Sequence, residues 1–155
     1  MHFLLVNDDG IGSVGIMALM EAALKRGHRV SMCAPSGQMS AASHRITLSD
    51  PLYVKDYPLN RENAQGFAIT GTPADCVRLA FLGGLVTEPV DGVISGINNG
   101  YNAGLATYYS GTVGAAREAA LLGHPSIAAS IDYKADPAHV QDAAELVMDM
   151  AETYF

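Results

Sequence analysis

The chain has 155 residues, a length that suits one domain, residues 1–155, built around one hydrophobic core. Apolar residues make up 49% of it and charged residues 16%, which excludes an intrinsically disordered chain. Its formal net charge is −7, with nine Lys and Arg against sixteen Asp and Glu, and no basic cluster suits it to bind long nucleic acid.

Two further features bear on where the protein works. Cys33 and Cys76 are far apart and form no CxxC pair, which indicates neither a disulfide framework nor a zinc knuckle and fits a reducing compartment. The apolar run from Phe3 to Val6 is too short for a signal peptide or a membrane span. We therefore expect a cytoplasmic protein without membrane association.

The first third of the chain predicts a β-α-β unit. Residues His2 to Val6 predict a short buried strand, and apolar residues at helical spacing from Val14 to Leu24 predict a helix that ends near Gly27. A second strand follows from Arg29 to Ala34, and Pro35 ends it. A right-handed crossover makes the two strands parallel.

The middle of the chain is predicted to be less regular. Ser36 to Ser43 lacks periodicity and predicts a loop at the carboxyl end of the second strand. Pro73 opens a helix from Ala74 to about Leu82, with Thr72 as its cap. Short strands are predicted for Ile46 to Leu48, Leu52 to Val54 and Phe67 to Thr70.

The last third again alternates strand and helix. A strand is predicted from Asp91 to Ser95, a loop from Gly96 to Ser110, and a helix from Thr112 to Leu122. A strand from Ser126 to Ser130 and a helix from Ala138 to Tyr154 follow. This alternation predicts a three-layer α/β fold with a largely parallel sheet.

Asp8 and Asp9 follow the first predicted strand directly. Ligands of open parallel sheets bind at the carboxyl ends of the strands, and adjacent carboxylates there repel each other unless a cation is present. Mg²⁺ and Mn²⁺ prefer such oxygen ligands. The alternative is that Asp8 caps the following helix and Asp9 is a solvated charge.

A GxGxxG motif from Gly10 to Gly15 lies between the first strand and the first helix. It is typical of dinucleotide-binding folds, but a pyrophosphate here would meet Asp8 and Asp9. The second strand is also not followed by the acidic residue that would bind a ribose. We therefore expect these glycines to let the loop turn tightly around the site.

Two later segments carry groups that suit metal and phosphate. The amide oxygen of Asn98 could add a neutral ligand to a cation, although such asparagines also simply form turns. Ser110, Gly111 and Thr112 begin a helix, where free N–H groups and hydroxyls suit a phosphate; the alternative is an ordinary helix cap. The sequence contains no GxSxG motif around Ser95 or Ser110, which argues against an esterase with a seryl nucleophile.

The histidines give little indication of a metal site. None of the five occurs in an HxH or HExxH motif, and only His44 follows a strand closely enough to reach the site. Arg117 and Glu118, on the helix after the phosphate-binding segment, fit an ordinary exposed pair.

Four segments together, in this order, resemble the SurE family of survival-protein nucleotidases. The resemblance implies a Rossmann-like fold and hydrolysis of nucleoside 5′- and 3′-monophosphates with one divalent metal ion, Mg²⁺ or Mn²⁺. It also implies a homo-oligomer, a dimer or a tetramer. The segments are Leu4 to Gly10 (LLVNDDG), Ala34 to Thr47 (APSGQMSAASHRIT), Gly71 to Val77 (GTPADCV) and Val93 to Glu118 (VISGINNGYNAGLATYYSGTVGAARE).

The resemblance also implies the site residues. Asp8 and Asp9 would be catalytic, and Asn98 would contact both metal and substrate. The implied metal ligands are Asp8, Asp9, Ser40 and Asn98. The implied phosphate-binding residues are Asn98, Ser110, Gly111 and Thr112.

The chain departs from the family pattern in two places. The family's usual Ser-Gly in the second loop is Ser40-Ala41 here, which puts the turn that presents the Ser40 hydroxyl in question because alanine disfavours positive φ. The sequence ends at Phe155, whereas members of the family continue through more strands, a projecting arm and helices used for dimerisation. The chain is therefore expected to lack a C-terminal part.

The sequence thus predicts a metal-dependent phosphomonoesterase that releases nucleoside and phosphate. The attacking group stays open between a water whose proton goes to Asp8 or Asp9 and Asp8 itself as nucleophile. A nucleotide- and metal-binding regulatory module without turnover is the alternative from another class. An α/β domain without a ligand is the third hypothesis.

Overall fold

Strands and helices alternate along most of the chain, as the hydrophobic pattern predicts. The structure, a computed structural model, describes residues 1–155. Its strands are β1 (His2–Val6), β2 (Arg29–Pro35), β3 (Val54–Asp56), β4 (Ala64–Ile69), β5 (Gly92–Asn99) and β6 (Ser126–Ile131). Its helices are α1 (Val14–Lys25), α2 (Pro73–Phe81), α3 (Ala106–Tyr109), α4 (Gly111–Leu121) and α5 (Pro137–Tyr154). No helix is both long enough and apolar enough to cross a membrane.

The six strands form one sheet in the order β3-β4-β2-β1-β5-β6. All neighbouring pairs are parallel except β3 and β4, which are antiparallel. The chain moves from β1 to β2 on one side and later returns to β5 on the other, so the direction of winding reverses at β1. Ligands of doubly wound sheets bind at the carboxyl side of such a reversal.

Helices cover both faces of the sheet and make the fold three-layered. Helices α1 and α5 pack on one face, and α2 and α4 pack on the other. On β1, Phe3 and Leu5 face the first pair of helices, while Leu4 and Val6 face the second. All four are fully buried, which is why β1 is continuously apolar. The prediction of a three-layer, Rossmann-like α/β fold with a largely parallel sheet is confirmed.

The start of α2 follows the predicted capping chemistry. The Thr72 hydroxyl accepts a hydrogen bond from the Asp75 backbone N–H at 3.2 Å, and the Asp75 carboxylate accepts one from the Thr72 N–H at 2.9 Å. Pro73 occupies the first turn. This reciprocal arrangement satisfies two N–H groups that a helix start leaves unpaired.

The middle of the chain contains the main errors of the sequence prediction. Ile46 to Leu48 is not a strand, because Thr47 donates its N–H and hydroxyl to Asp75 at the start of α2. The strand predicted at Leu52 to Val54 lies instead at Val54–Asp56. Strand β4 begins at Ala64, three residues before the prediction, because its first residues pair with β2.

The segment from Gly96 to Ser110 is also more ordered than predicted. Strand β5 continues to Asn99, and its register against β6 shifts between Ser95 and Asn98. Such a bulge changes the direction in which the following side chains point. The short helix α3 lies in the segment predicted as a loop.

Candidate active site

A tight turn after β1 positions the two aspartates. The buried Asn7 side chain donates to Gly10 O at 2.9 Å and to Ser13 Oγ at 2.7 Å, and it accepts from the Gly10 N–H at 3.2 Å. Gly10 has a φ of 102°, a value that L side chains rarely adopt. The turn therefore needs this glycine, and it leaves Asp8 and Asp9 at the carboxyl edge of the sheet.

Asp8 lies against the start of α4. Only 5% of Asp8 is exposed, and its carboxylate accepts from the Thr112 hydroxyl at 2.7 Å and from the Thr112 N–H at 3.3 Å. A Cβ at Gly111 would lie 3.0 Å from Asp8 Cβ, so glycine permits this close approach. Asp8 thus accepts hydrogen bonds in the first turn of α4 rather than at the start of the helix that follows it in sequence.

The environment of Asp8 makes its charge costly. Burial raises the pKa of Asp8, the hydrogen bond from the Thr112 hydroxyl opposes that rise, and the neighbouring charge of Asp9 adds to it. The net effect is a raised pKa. A divalent cation between the carboxylates would offset both the burial and the repulsion.

Asp9 connects the turn to the end of β5. Its Oδ2 atom accepts a hydrogen bond from the Asn99 N–H at 2.9 Å. The bulge in β5 makes this contact available, and Gly96 permits the bulge with a φ of 142°. A Cβ at Gly96 would lie 2.4 Å from Ala129 O. Asp9 is therefore not a free solvated charge.

Asn98, near the end of β5, and Asn102, in the loop that follows, line the same space. Asn98 donates its Nδ2 to Gly100 O at 2.6 Å, which leaves Oδ1 as the atom for a cation. Asn102 Nδ2 is buried without a hydrogen-bond partner. The sequence prediction did not single out Asn102, because nothing in a loop rich in glycine and asparagine distinguishes it from its neighbours.

The loop that carries Ser40 is fastened on both sides. Before Ser40, the Met39 N–H donates to Asp8 O at 2.7 Å; after it, the Ser43 N–H donates to Tyr109 O at 2.9 Å. Ala41 has a φ of 56°, so the turn keeps a left-handed conformation although alanine replaces the glycine usual in the family.

His44 and Glu118 were interpreted wrongly from the sequence. His44 does not line the site; its Nε2 lies 2.7 Å from Glu118 Oε2. Glu118 is 6% exposed, and Arg78 also donates to it at 2.9 Å. Glu118 is therefore a buried anchor for the loop rather than half of an exposed pair with Arg117.

One cavity of about 260 Å³ at the carboxyl edge of the sheet brings most of the predicted site residues together. We call it the phosphate cavity, after the ligand that the sequence predicts there. Gly111 and Thr112 are not among its lining residues. Gly111 lies against Asp8, and the Thr112 hydroxyl donates a hydrogen bond to Asp8. The Ser110 hydroxyl caps α4 by accepting from the Val113 N–H at 3.1 Å. The cavity is lined by Asp8, Asp9, Gln38, Ser40, Ala41, Asn98, Asn99, Asn102, Ala106, Tyr109 and Ser110.

The polar groups of the phosphate cavity suit a hard cation. They comprise two carboxylates, the hydroxyls of Ser40, Tyr109 and Ser110, and neutral amides, which is the oxygen-rich set that Mg²⁺ and Mn²⁺ prefer. No group of three or more His, Cys, Asp or Glu side chains that could hold a metal ion occurs in the structure. A cation here would therefore take its remaining ligands from Ser40, Asn98, water and substrate.

Comparison with known proteins identifies the family to which the chain belongs. The family described as Survival protein SurE matches residues 3–155. The chain belongs to the SurE family. The crystal structure of the SurE protein from Aquifex aeolicus superposes with a TM-score of 0.81 at 39% sequence identity, covering 99% of this chain and 59% of that one.

SurE-family relatives similar to the chain carry the name 5′-nucleotidase SurE. The protein of Desulfitobacterium hafniense is 47% identical over 140 residues, which cover 86% of this chain and 55% of that protein. The protein of Clostridium tetani is 45% identical over 152 residues, which cover 98% of this chain and 60% of that protein. The chain therefore spans little more than half the length of these relatives.

Proposed function

We propose that the chain carries the catalytic site of a divalent-metal-dependent phosphomonoesterase that hydrolyses nucleoside 5′-monophosphates, and also 3′-monophosphates, to nucleoside and phosphate. The observation that carries the proposal is the convergence of Asp8 and Asp9 with Ser40 and Asn98 in the phosphate cavity. The names of the SurE-family relatives support the choice of nucleotides as substrate.

The proposed metal ligands are Asp8, Asp9, Ser40 and Asn98. A divalent cation bound there would supply positive charge to offset the charges of the phosphoryl oxygens and both carboxylates. Asn98 Oδ1 suits this role because Nδ2 is already bonded to Gly100 O.

We assign phosphate binding to the side of the cavity formed by the start of α4 and the loop after β5. The Gly111 N–H is the first of α4 and has no acceptor within its own helix. The unpartnered Asn102 Nδ2 is a second donor, and Ser110 is a third polar group on this side. These groups can hydrogen-bond the phosphoryl oxygens as their charge grows during reaction. Thr112 acts through Asp8, since its hydroxyl and N–H hold that carboxylate.

In the proposed reaction a water oxygen bonds to phosphorus while the bond from phosphorus to the nucleoside oxygen breaks. The water's proton passes to Asp8 or Asp9, and the departing nucleoside oxygen takes up a proton.

The test is phosphate release from a panel of nucleoside 5′- and 3′-monophosphates with Mn²⁺, Mg²⁺ or EDTA. Asp9→Asn keeps an oxygen for the Asn99 N–H but removes the charge, and we expect the rate to fall by about a hundredfold or more. Asp91→Asn is the matched control, because Asp91 accepts the His2 N–H at 2.7 Å beside the other end of β1.

The outcomes separate the hypotheses. Metal-dependent release by wild type and Asp91→Asn, but not by Asp9→Asn, supports the proposed site. Equal rates in all three proteins would place the chemistry elsewhere. A folded wild-type chain that binds metal and nucleotide without releasing phosphate would favour the regulatory module instead.

A further inference from the structure

A second, larger cavity adjoins the phosphate cavity. It has a volume of about 450 Å³ and lies between the start of α1, the ends of β5 and β6, and the start of α5. We call it the side cavity. Its wall includes the apolar side chains of Val14, Ile97, Ile131 and Tyr133. Its volume falls in the range of cavities that bind small organic ligands, roughly 300 to 1,000 Å³.

The two cavities share a wall. Asp9, Gln38 and Asn99 line both of them, and the hydrogen bond from the Asn99 N–H to Asp9 Oδ2 forms part of that wall. A molecule with its phosphoryl group beside Asp8 and Asp9 can therefore extend past this wall into the side cavity.

The lining of the side cavity selects for a particular chemistry. Asp9 is the only charged side chain in its lining, so the lining itself offers no cation to a second anionic group. Val14 and Tyr133 are 64% and 66% exposed and offer apolar surface to a ligand. The amides of Gln38 and Asn99 supply both donors and acceptors.

We propose that the side cavity binds the nucleoside part of a nucleoside monophosphate. The flat faces of the base pack against Tyr133 and Val14, and polar edges of the nucleoside hydrogen-bond the amides of Gln38 and Asn99. This inference rests on the proposed function for the position of the phosphate. It makes the side cavity the feature that distinguishes nucleotides from phosphomonoesters without a base.

The first test compares substrates with and without a base. We expect Tyr133→Ala to lower kcat/KM for AMP and CMP about tenfold, the order of a lost base–aromatic contact, and to leave kcat/KM for glycerol 2-phosphate unchanged. Tyr108→Ala is the matched control, since Tyr108 is also 66% exposed and lines neither cavity. Equal losses on all substrates, or none on the nucleotides, would overturn the proposal.

The second test does not depend on phosphate release. Adenosine and cytidine are titrated into ¹⁵N-labelled protein, and the side-chain amide signals of Gln38 and Asn99 are followed. We expect saturable shifts, with Kd about tenfold higher in Tyr133→Ala and unchanged in Tyr108→Ala.

The two proposals can fail separately. Nucleoside binding with this dependence on Tyr133 supports the side cavity even if no phosphate is released. No saturable shift at the solubility limit of either nucleoside would overturn the side-cavity proposal. Metal-dependent hydrolysis of glycerol 2-phosphate would, in that case, still support the phosphatase.

Discussion

At the residue scale, two adjacent aspartates connect β1 to two different parts of the fold. Asp8 is almost fully buried and accepts two hydrogen bonds from Thr112, whereas Asp9 is half-buried and accepts one from the Asn99 N–H. The pair therefore positions α4 and β5 as well as supplying charge. Removing either charge should therefore affect the chemistry of the site, and removing either side chain should affect its geometry as well.

The backbone conformation of Ala41 leads to a prediction at this scale. Its φ of 56° is a left-handed conformation that costs an alanine about 1–2 kcal/mol. A glycine has no such steric cost, but the conformational entropy that it loses on folding exceeds that of alanine by about 0.4–1 kcal/mol. We expect Ala41→Gly to raise the free energy of unfolding by about 0.5–1 kcal/mol. Urea denaturation measures this change.

The neighbouring Ala42 is the control, because it does not have a positive φ. Ala42→Gly should lower the free energy of unfolding by about 0.5–1 kcal/mol. If Ala41→Gly were destabilising to the same degree, the turn around Ser40 would not have the left-handed conformation described above.

At the element scale, α4 is covered by the loop between β2 and β3. A Cβ at Gly114 would lie 2.3 Å from Ser43 O, so the loop contacts the helix backbone directly. Glu118 lies one turn further along and is bonded to both His44 and Arg78. Glu118 is buried because this loop covers the helix. The spacing of apolar residues along α4 does not indicate that burial.

This packing predicts unequal effects at two adjacent positions. Glu118→Gln leaves an amide N–H₂ facing the donor of Arg78 or His44 and should lower the free energy of unfolding by about 1–3 kcal/mol. Arg117→Gln, on the exposed face, should change it by less than about 0.5 kcal/mol. Urea denaturation of both variants tests this difference, and equal effects would contradict the burial of Glu118.

At the scale of the whole molecule, α1 packs closely against the part of the sheet that carries the site. A Cβ at Gly15 would lie 2.0 Å from Ile97 O, so α1 packs against the β5 bulge at backbone contact. The third glycine of the GxGxxG motif thus serves helix–strand packing, whereas Gly10 serves the tight turn. The bulge that α1 contacts also carries the Asn99 N–H to Asp9.

Gly15→Ala tests this packing. We expect it to lower the free energy of unfolding by about 3 kcal/mol, because the added methyl group must push α1 away from β5. Gly37→Ala is the control, since its Cβ would meet nothing within 4 Å and its φ is not positive; it should change stability by less than about 1 kcal/mol. A stabilised Gly15→Ala protein would exclude the close approach of α1.

The sequence by itself determined the alternation of strands and helices, the parallel sheet and the position of Asp8 and Asp9 after β1. These properties follow from local hydrophobic periods and from turn residues, which neighbouring residues specify. The loop predicted before α4 also indicated Asn98, and the resemblance to the SurE family then added Ser40 as a further candidate. The capping box of α2 was half predicted, through Thr72, because capping acts over three residues.

Only the tertiary structure decided the partners of those residues. Asp8 and Thr112 are 104 residues apart, and Asp9 and Asn99 are 90 apart, so no local pattern relates them. The burial of Glu118, the β5 bulge, the unpartnered Asn102 and the side cavity arise in the same way. Each depends on how separate elements pack against one another, and that packing is determined by contacts across the whole chain.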